Sequence, residues 1–96
     1  MYTQVIISYD ISNTKNRNKF FDELKDLGLV SIQKSVFWGY ILLSEKRVIK
    51  ELFKKYCEIE TDKAFIVNAT LDKDLNDSCF GYDEDDFSHP EGFEII

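Results

Sequence analysis

The sequence is poor in the residues that build zinc sites, disulfide frameworks and membrane spans. It has one His, two Cys and one Pro. No apolar run approaches the roughly 18 residues of a membrane helix, and the N-terminus lacks a basic region and a cleavage site, so we expect a cytoplasmic protein without span or signal peptide. Cys57 and Cys79 form no CxxC pair and have no His partners at zinc-site spacing, which indicates buried or incidental thiols.

The length and composition fit a single small domain. The chain has 96 residues, which excludes an enzyme built around a cleft between two domains. Hydrophobic residues make up 44% of the chain and aromatic residues 15%, so it can form a core. The net charge of −6 at first argues against a nucleic-acid partner, because phosphate binding needs clustered Lys and Arg.

The acidic charge, however, is concentrated at one end of the chain. Residues 1–71 carry eleven basic and nine acidic side chains, a balance of +2. Residues 72–96 carry one Lys against nine acidic side chains, a balance of −8. We therefore divide the chain into a mildly basic core, residues 1–71, and an acidic C-terminal tail, residues 72–96.

Hydrophobic patterns predict four strands and two helices. Residues 2–9, 29–36, 37–43 and 64–69 have the β-branched and aromatic content of strands. A helix is expected to begin near Lys15, with Ser12, Asn13 and Thr14 as candidate caps, and to end at Gly28. Its apolar face consists of Phe20, Phe21, Leu24 and Leu27. Ser44 is a suitable N-cap for the second helix. The predicted buried stripe of that helix consists of Val48, Ile49, Leu52, Phe53 and Tyr56.

This order of elements predicts an α+β, ferredoxin-like βαββαβ fold, with a four-stranded antiparallel sheet and both helices on one face. The residues expected beneath the helices are Val5, Ile7, Tyr9 and Ile11. The strand at residues 36–43 is apolar on both sides, so its open face needs a cover, and a second copy is the simplest one. We predict a homodimer through the sheet faces, with Ile6, Ser8, Trp38 and Tyr40 at the interface.

A basic group lies where the first strand runs into the first helix. Lys15, Arg17 and Lys19 follow Asp10 closely, and the dipole and free amides of a helix N-terminus also favour phosphate. The alternative for these residues is an ordinary solvated helix start. For Asp10 itself, the alternative to a functional role is an Asx-type turn or a helix cap.

Two motifs carry more information than the charge count. The first is Tyr-Asp-Ile-Ser at residues 9–12, followed by the basic group, and the second is Gln-Lys-Ser-Val-Phe at residues 33–37, followed by Gly39. Together with the length and the strand order, these motifs resemble the CRISPR-associated protein two family, the small subunit of the complex that captures and integrates spacers. The resemblance covers about residues 2–70.

The resemblance implies a ferredoxin-like homodimer that acts in bacterial adaptive immunity. Some members are metal-dependent nucleases, and others are scaffolds between integrase dimers. The family's metal-binding aspartate corresponds to Asp10, which would be both the metal ligand and the catalytic residue, with Mg²⁺ or Mn²⁺ as cofactor. Its basic and polar positions correspond to Lys15 and Arg17, and the Ser and Phe of its second motif correspond to Ser35 and Phe37. The expected nucleic-acid contacts are Lys15, Arg17, Lys19, Lys34 and Ser35.

A single Asp10 supplies few ligands for magnesium, which is usually held by one or two carboxylates, waters and phosphate oxygens. If the two-fold axis passes near the end of the first strand, a dimer brings two Asp10 carboxylates together. A metal there would polarise the scissile phosphate and lower the pKa of an attacking water. Ser35 would bond either a phosphate or the strand backbone. The expected partners are a second copy of the chain, the integrase subunit and a nucleic acid, either double-stranded DNA or RNA. No membrane partner is expected.

The tail permits several interpretations. Asp72, Asp74, Asn76 and Asp83 have part of a calcium-loop spacing, but position 6 is not Gly and position 12 is not Glu. The acidic run at residues 83–86 is a solvated stretch or a screen over the basic core. Residues 93–96 are expected to dock as an added strand through Phe93 and Ile95.

Two other functions remain open from the sequence alone. One is a toxin-like ribonuclease of related ferredoxin-like fold, and the other is a non-catalytic nucleic-acid-binding module, although the basic and aromatic signature of RNA-recognition sheets is missing.

Overall fold

The computed structural model describes residues 1–71, 73 and 75–87, and it has the predicted element order. The strands are β1 (Tyr2–Asp10), β2 (Val30–Gln33), β3 (Val36–Leu42) and β4 (Lys63–Asn68). The helices are α1 (Thr14–Asp26), α2 (Leu43–Tyr56) and the short α3 (Leu75–Ser78), and a 3₁₀ turn covers Glu84–Phe87. The sheet has the order β2-β3-β1-β4 with antiparallel neighbours, so the ferredoxin-like α+β prediction is confirmed.

The core lies between the sheet and the helices α1 and α2. The odd positions of β1 and the residue that follows it are buried as predicted: Val5, Ile7, Tyr9 and Ile11. Phe20 of α1 meets the ring of Tyr9 edge-on, with 4.8 Å between ring centroids. Because side chains alternate along a strand, the even positions of β1 lie on the opposite, open face of the sheet.

Helix α1 begins after Asn13, one of the three candidate caps. The Asn13 side chain accepts a hydrogen bond from the Asn16 amide at 2.9 Å, which satisfies one of the free donors of the first turn. The helix ends at Asp26 with Leu27 as its C-cap, and Gly28 follows with a φ of 90°, in the left-handed region that favours glycine. The predicted limits of this helix were therefore correct to within a residue or two.

Helix α2 differs from the prediction in its cap and in one core position. The helix begins at Leu43, so Ser44 lies inside its first turn, and the Ser44 cap was wrong. The N-cap is Leu42, whose amide donates to Glu45 Oε1 at 2.7 Å, the contact that the N3 carboxylate supplies in a capping box. Val48 was also wrong as a core residue: it is 45% exposed, because Ile49, Leu52 and Tyr56 form the line that faces the sheet.

The hairpin between β2 and β3 turns at Lys34 and Ser35. Ser35 has a φ of 62°, the left-handed conformation that a turn of this kind requires. Gly39 lies further along β3, where a Cβ atom would stand 2.8 Å from Leu29 Cδ2 and 3.3 Å from Leu29 Cα. The glycine of the second motif is therefore explained by close packing against the chain that enters β2.

The open face of β3 is covered at Trp38 by the same chain. The Trp38 side chain has 0% exposure, and the ring of Phe87 lies 5.3 Å from it in edge-on contact. Tyr82 also holds this segment, because its hydroxyl donates to Gln33 Oε1 at 3.1 Å. The second copy that we expected above Trp38 is therefore not needed there, since residues that the charge division assigned to the tail already cover it.

The β4 side of the open face stays accessible. Phe65 is 52% exposed and Val67 is 46% exposed. They are the register partners of Ser8 and Ile6 of β1, both half-buried. Apolar surface of this kind fits the predicted homodimer, which stays a prediction. No helix in the described part of the chain is both long enough and apolar enough to cross a membrane.

Candidate nucleic-acid and metal site

The candidate site is built around the end of β1, where Asp10 is the last residue of the strand. Asp10 is exposed, and its register partner across the sheet is Lys63 of β4. Directly opposite residues of antiparallel strands point to the same face, with Cβ atoms about 5 Å apart. The carboxylate of Asp10 therefore has solvent on one side and a cationic residue beside it.

The loop after Asp10 is fixed to the loop before β4 by one carboxylate. Asp62 Oδ1 accepts hydrogen bonds from the Ser12 amide at 3.0 Å and the Ser12 hydroxyl at 2.8 Å. Asp62 Oδ2 accepts from the Glu58 amide at 2.9 Å, and the Thr61 hydroxyl donates to Oδ1 at 3.1 Å. These donors, the Glu58 amide first and the Ser12 amide second, favour the charged form and lower the pKa of Asp62 to about 2.

Arg17 is partly committed to the same loop. Its Nη1 donates to the Ile11 carbonyl at 3.0 Å, and its Nη2 donates to Thr14 Oγ1 at 3.3 Å. The side chain is half-buried, whereas Lys15 and Lys19 are exposed. A guanidinium has five N–H donors, so Arg17 keeps donors for a phosphate while it braces the loop.

The second motif meets the first at this end of the sheet. The Tyr9 amide donates to the Ser35 carbonyl at 3.1 Å, which extends the β1–β3 ladder into the turn. Burial raises the pKa of Tyr9, and the charge of Arg17 and a hydrogen bond to Ser35 partly oppose that effect. The structure therefore brings Arg17 and Ser35 to Tyr9, with Lys34 exposed in the adjoining turn. Asp10 follows Tyr9 at the end of β1 and, by alternation, lies on the opposite face of the sheet.

Within the described part of one chain, the candidate metal donor at this site is Asp10. No group of three or more His, Cys, Asp or Glu side chains able to hold a metal occurs among the described residues. One exposed carboxylate together with water and substrate oxygens still fits Mg²⁺, which keeps several waters and takes few protein ligands. It does not fit Zn²⁺, which needs three or four protein ligands.

The predicted interface residues fall into three groups. Ile6, Ser8 and Tyr40 are half-buried on the open face, and their place at an interface stays a prediction. Trp38 is fully buried within one chain. Phe93 and Ile95 lie outside the described residues, as do Asp72 and Asp74 of the calcium-loop spacing.

Sequence reasoning missed two members of this region, Asp62 and Lys63. Asp62 stands 50 positions from Ser12, its main partner, and no spacing rule connects residues so far apart. Lys63 is paired with Asp10 only through the register of β1 and β4. The available signal was the topology: the predicted βαββαβ order makes β1 and β4 neighbours, so the end of one strand and the start of the other adjoin.

The comparisons with known proteins agree on one family. The family model described as CRISPR associated protein Cas2 matches residues 1–77. A protein named CRISPR-associated endoribonuclease Cas2 1 from Francisella tularensis subsp. novicida is 39% identical over 84 residues, which are 88% of this chain and 86% of that protein. A CRISPR-associated endoribonuclease Cas2 from Desulforudis audaxviator is 32% identical over 74 residues, which are 75% of this chain and 67% of the relative.

Solved structures with the same fold include one described as the crystal structure of cas2. It superposes with a TM-score of 0.61 at 26% identity, covering 71% of this chain and 75% of the other. A hypothetical protein from Thermus thermophilus has a TM-score of 0.63 at 21% identity, covering 73% of this chain and 84% of its own, and this likeness shows the fold alone.

Proposed function

Because the chain belongs to the Cas2 family of CRISPR-associated proteins, we propose that it acts in spacer acquisition as a homodimeric scaffold that binds double-stranded DNA and the integrase subunit. We propose further that Asp10 gives it a magnesium-dependent phosphodiesterase activity. The observation that carries the proposal is the meeting of both sequence motifs at one end of the sheet, where the Tyr9 amide bonds the Ser35 carbonyl and Arg17 bonds the Ile11 carbonyl.

The scaffold role needs contacts to the nucleic-acid backbone and no reading of bases. The N-terminus of α1 supplies free backbone amides and the positive end of the helix dipole. Lys15 and Lys19 are exposed in its first two turns, and Lys34 is exposed in the nearby hairpin turn. Contacts of this type orient a duplex without specifying its sequence.

The enzymatic role needs a cation at Asp10. When bound, Mg²⁺ supplies Lewis-acid stabilisation of a phosphate and a more acidic bound water. Asp10 would be its protein ligand, and a second Asp10 across a dimer axis would complete the pair of carboxylates that magnesium sites often have. Lys63, the register partner of Asp10, would attract a phosphate into the same place.

The substrate has a second candidate, since relatives at 39% and 32% identity are named endoribonucleases. Those names favour RNA as the cleaved strand. Binding of duplex DNA and cleavage of RNA are compatible with one surface, because both use contacts to the phosphate backbone.

The proposed function is tested with Asp10→Ala, measured for cleavage of DNA and RNA with Mg²⁺ or Mn²⁺ and for spacer acquisition in cells. We expect cleavage to fall at least a hundredfold while duplex binding is kept. Asp22→Ala is the matched control, because Asp22 is an exposed carboxylate on α1. Unchanged cleavage in Asp10→Ala would refute the metal mechanism, and unchanged spacer acquisition would leave the scaffold role as the physiological one.

The homodimer is tested by sedimentation of the full chain. We expect a dimer at micromolar concentration, and Phe65→Asp with Val67→Lys should dissociate it, because these substitutions place charges on the exposed apolar strip of β4. Arg47→Glu with Lys50→Asp on the outer side of α2 is the control, and the dimer should persist there. A stable monomer of the unchanged chain would refute the dimer.

A further inference from the structure

Asp62 accepts four hydrogen bonds at the candidate site, and the two from Ser12 join two loops. Two donors come from Ser12, at 3.0 Å and 2.8 Å, and the other two come from the Glu58 amide and the Thr61 hydroxyl. One carboxylate therefore fixes the loop between β1 and α1 to the loop between α2 and β4. Ser12 and Thr61 also approach each other across the two loops, with 3.5 Å between their hydroxyl oxygens. The contacts of Asp62 with Ser12 are shorter.

This link lies beside Asp10 in the sequence and in the sheet. Ser12 follows Asp10 by two residues, and Lys63, which follows Asp62, is the register partner of Asp10. Asp62 thus restrains the chain just after Asp10 and just before its neighbour on the next strand. The same short loop also carries Asn13, the cap of α1, and Ile11, whose carbonyl accepts a hydrogen bond from Arg17.

Loss of this link should lower the stability of the fold without preventing folding. Ser12 and Thr61 are exposed, so water can replace the hydrogen bonds that they would lose with Asp62. The orientation of the loop has no such replacement, since solvent does not fix one geometry. A change at Asp62 should therefore affect what the loop positions more than whether the protein folds.

We propose that Asp62 is a positioning residue that holds residues 10–13 in the orientation in which Asp10 and the N-terminus of α1 receive a divalent cation and a phosphate. The inference rests on the proposed function of Asp10 and adds a residue to that site. Partners that orient a metal-binding group typically change affinity or activity ten- to a hundredfold when removed.

The test compares Asp62→Ala and Asp62→Asn with Glu60→Ala in the full-length protein. Glu60 is an exposed acid in the same loop and controls for the loss of charge. Three quantities are measured: the exchange rate of the Ser12 amide by NMR, the affinity for Mn²⁺ by calorimetry, and kcat and KM for phosphodiester cleavage. Asp62→Asn keeps an oxygen for Ser12 but replaces the other acceptor with a donor, so an intermediate effect is expected.

For Asp62→Ala we expect Ser12 amide exchange to rise about tenfold, and Mn²⁺ affinity and kcat to fall about tenfold, with KM close to wild type. The thermal midpoint should fall, because the charged form of Asp62 stabilises the fold, so all three quantities are measured at a temperature where the variant is folded. Glu60→Ala should match wild type throughout. The inference is overturned by unchanged Ser12 exchange, and equally by faster exchange with wild-type Mn²⁺ affinity and kcat, which would mean a merely structural link. A failure of the proposed function would show separately, because Asp10→Ala would then keep the Mn²⁺ affinity and the cleavage activity of the wild type.

Discussion

The ring of Phe87 stands edge-on over Trp38, with 5.3 Å between centroids, and leaves the indole with 0% exposure. Tyr82 packs against Phe87 at 5.5 Å and bonds Gln33. A segment that is acidic in sequence thus contributes the apolar cover of the central sheet. The acidic side chains around it remain outside, since Asp85 and Asp86 are exposed.

Phe87→Ala should uncover Trp38, the one tryptophan of the chain. Loss of a side chain that is 5% exposed should cost about 2–3 kcal/mol of the free energy of unfolding, and the tryptophan emission should shift to longer wavelength. Phe80→Ala is the control, because Phe80 is 98% exposed and should change neither quantity. Native emission in Phe87→Ala would contradict the contact.

Gly39→Ala should destabilise the protein by about 1–3 kcal/mol, since the added Cβ would stand 2.8 Å from Leu29 Cδ2 and 3.3 Å from Leu29 Cα. Urea unfolding measures this change. A double-mutant cycle uses Leu29→Val, which removes the Cδ atoms. The double variant should lose less free energy of unfolding than the sum of the losses in the two single variants. Strict additivity would show that the two residues do not collide.

Much of the fold could be predicted because its signals are local. The alternation from Val5 to Ile11 and the helical spacing of Phe20 and Leu24 define the buried faces directly. The order of strands and helices then leaves few arrangements, and the ferredoxin-like one is observed. The helix start at Leu43 was missed because Ser44 is a good cap by type, whereas the observed N-cap is Leu42, a residue type without a capping side chain.

The remaining features depend on contacts between distant parts of the chain. The apolar outer face of β3 correctly indicated a cover, yet alternation along a strand cannot say whether that cover is Phe87 or a second copy. Asp62 gave no local signal, because an Asp before a strand is common in loops and its hydrogen bonds with Ser12 form only in the folded structure. The two motifs meet where the Tyr9 amide donates to the Ser35 carbonyl, at the end of the β1–β3 ladder. The functional roles of Asp10 and Ser35 stay predictions.

Lys15→Ala and Arg17→Ala should weaken duplex binding in different ways. Each lost phosphate contact should reduce the slope of log K against log salt by about 0.9. Arg17→Ala should in addition lower the free energy of unfolding by about 1–2 kcal/mol, because the Ile11 carbonyl and Thr14 lose their donor. Lys15 is exposed, so its removal should leave stability unchanged.

The control for both variants is Lys25→Ala, which removes the same charge at the far end of α1, where Lys25 lies 5.7 Å from the Phe21 ring. Its salt slope should equal that of the wild type. Equal slopes in Lys25→Ala and Lys15→Ala would show that the duplex is bound by net charge and not at the N-terminus of α1.

The stability of the protein in acid should depend on Asp62. Its folded-state pKa, about 2, is below the ordinary value of 3.8, so the folded state binds the proton less well than the unfolded state. The stabilisation is therefore complete above about pH 4 and is lost as the pH falls through 2. The free energy of unfolding should fall more steeply between pH 5 and pH 2 in wild type than in Asp62→Asn, which has no charge to lose. The two proteins share the neighbouring charged residues Glu58, Glu60 and Lys63, so the difference between their pH dependences of stability isolates Asp62. The control Glu60→Gln should keep the wild-type dependence of stability on pH. Parallel curves for wild type and Asp62→Asn would mean that the charged form of Asp62 is not preferred in the folded state.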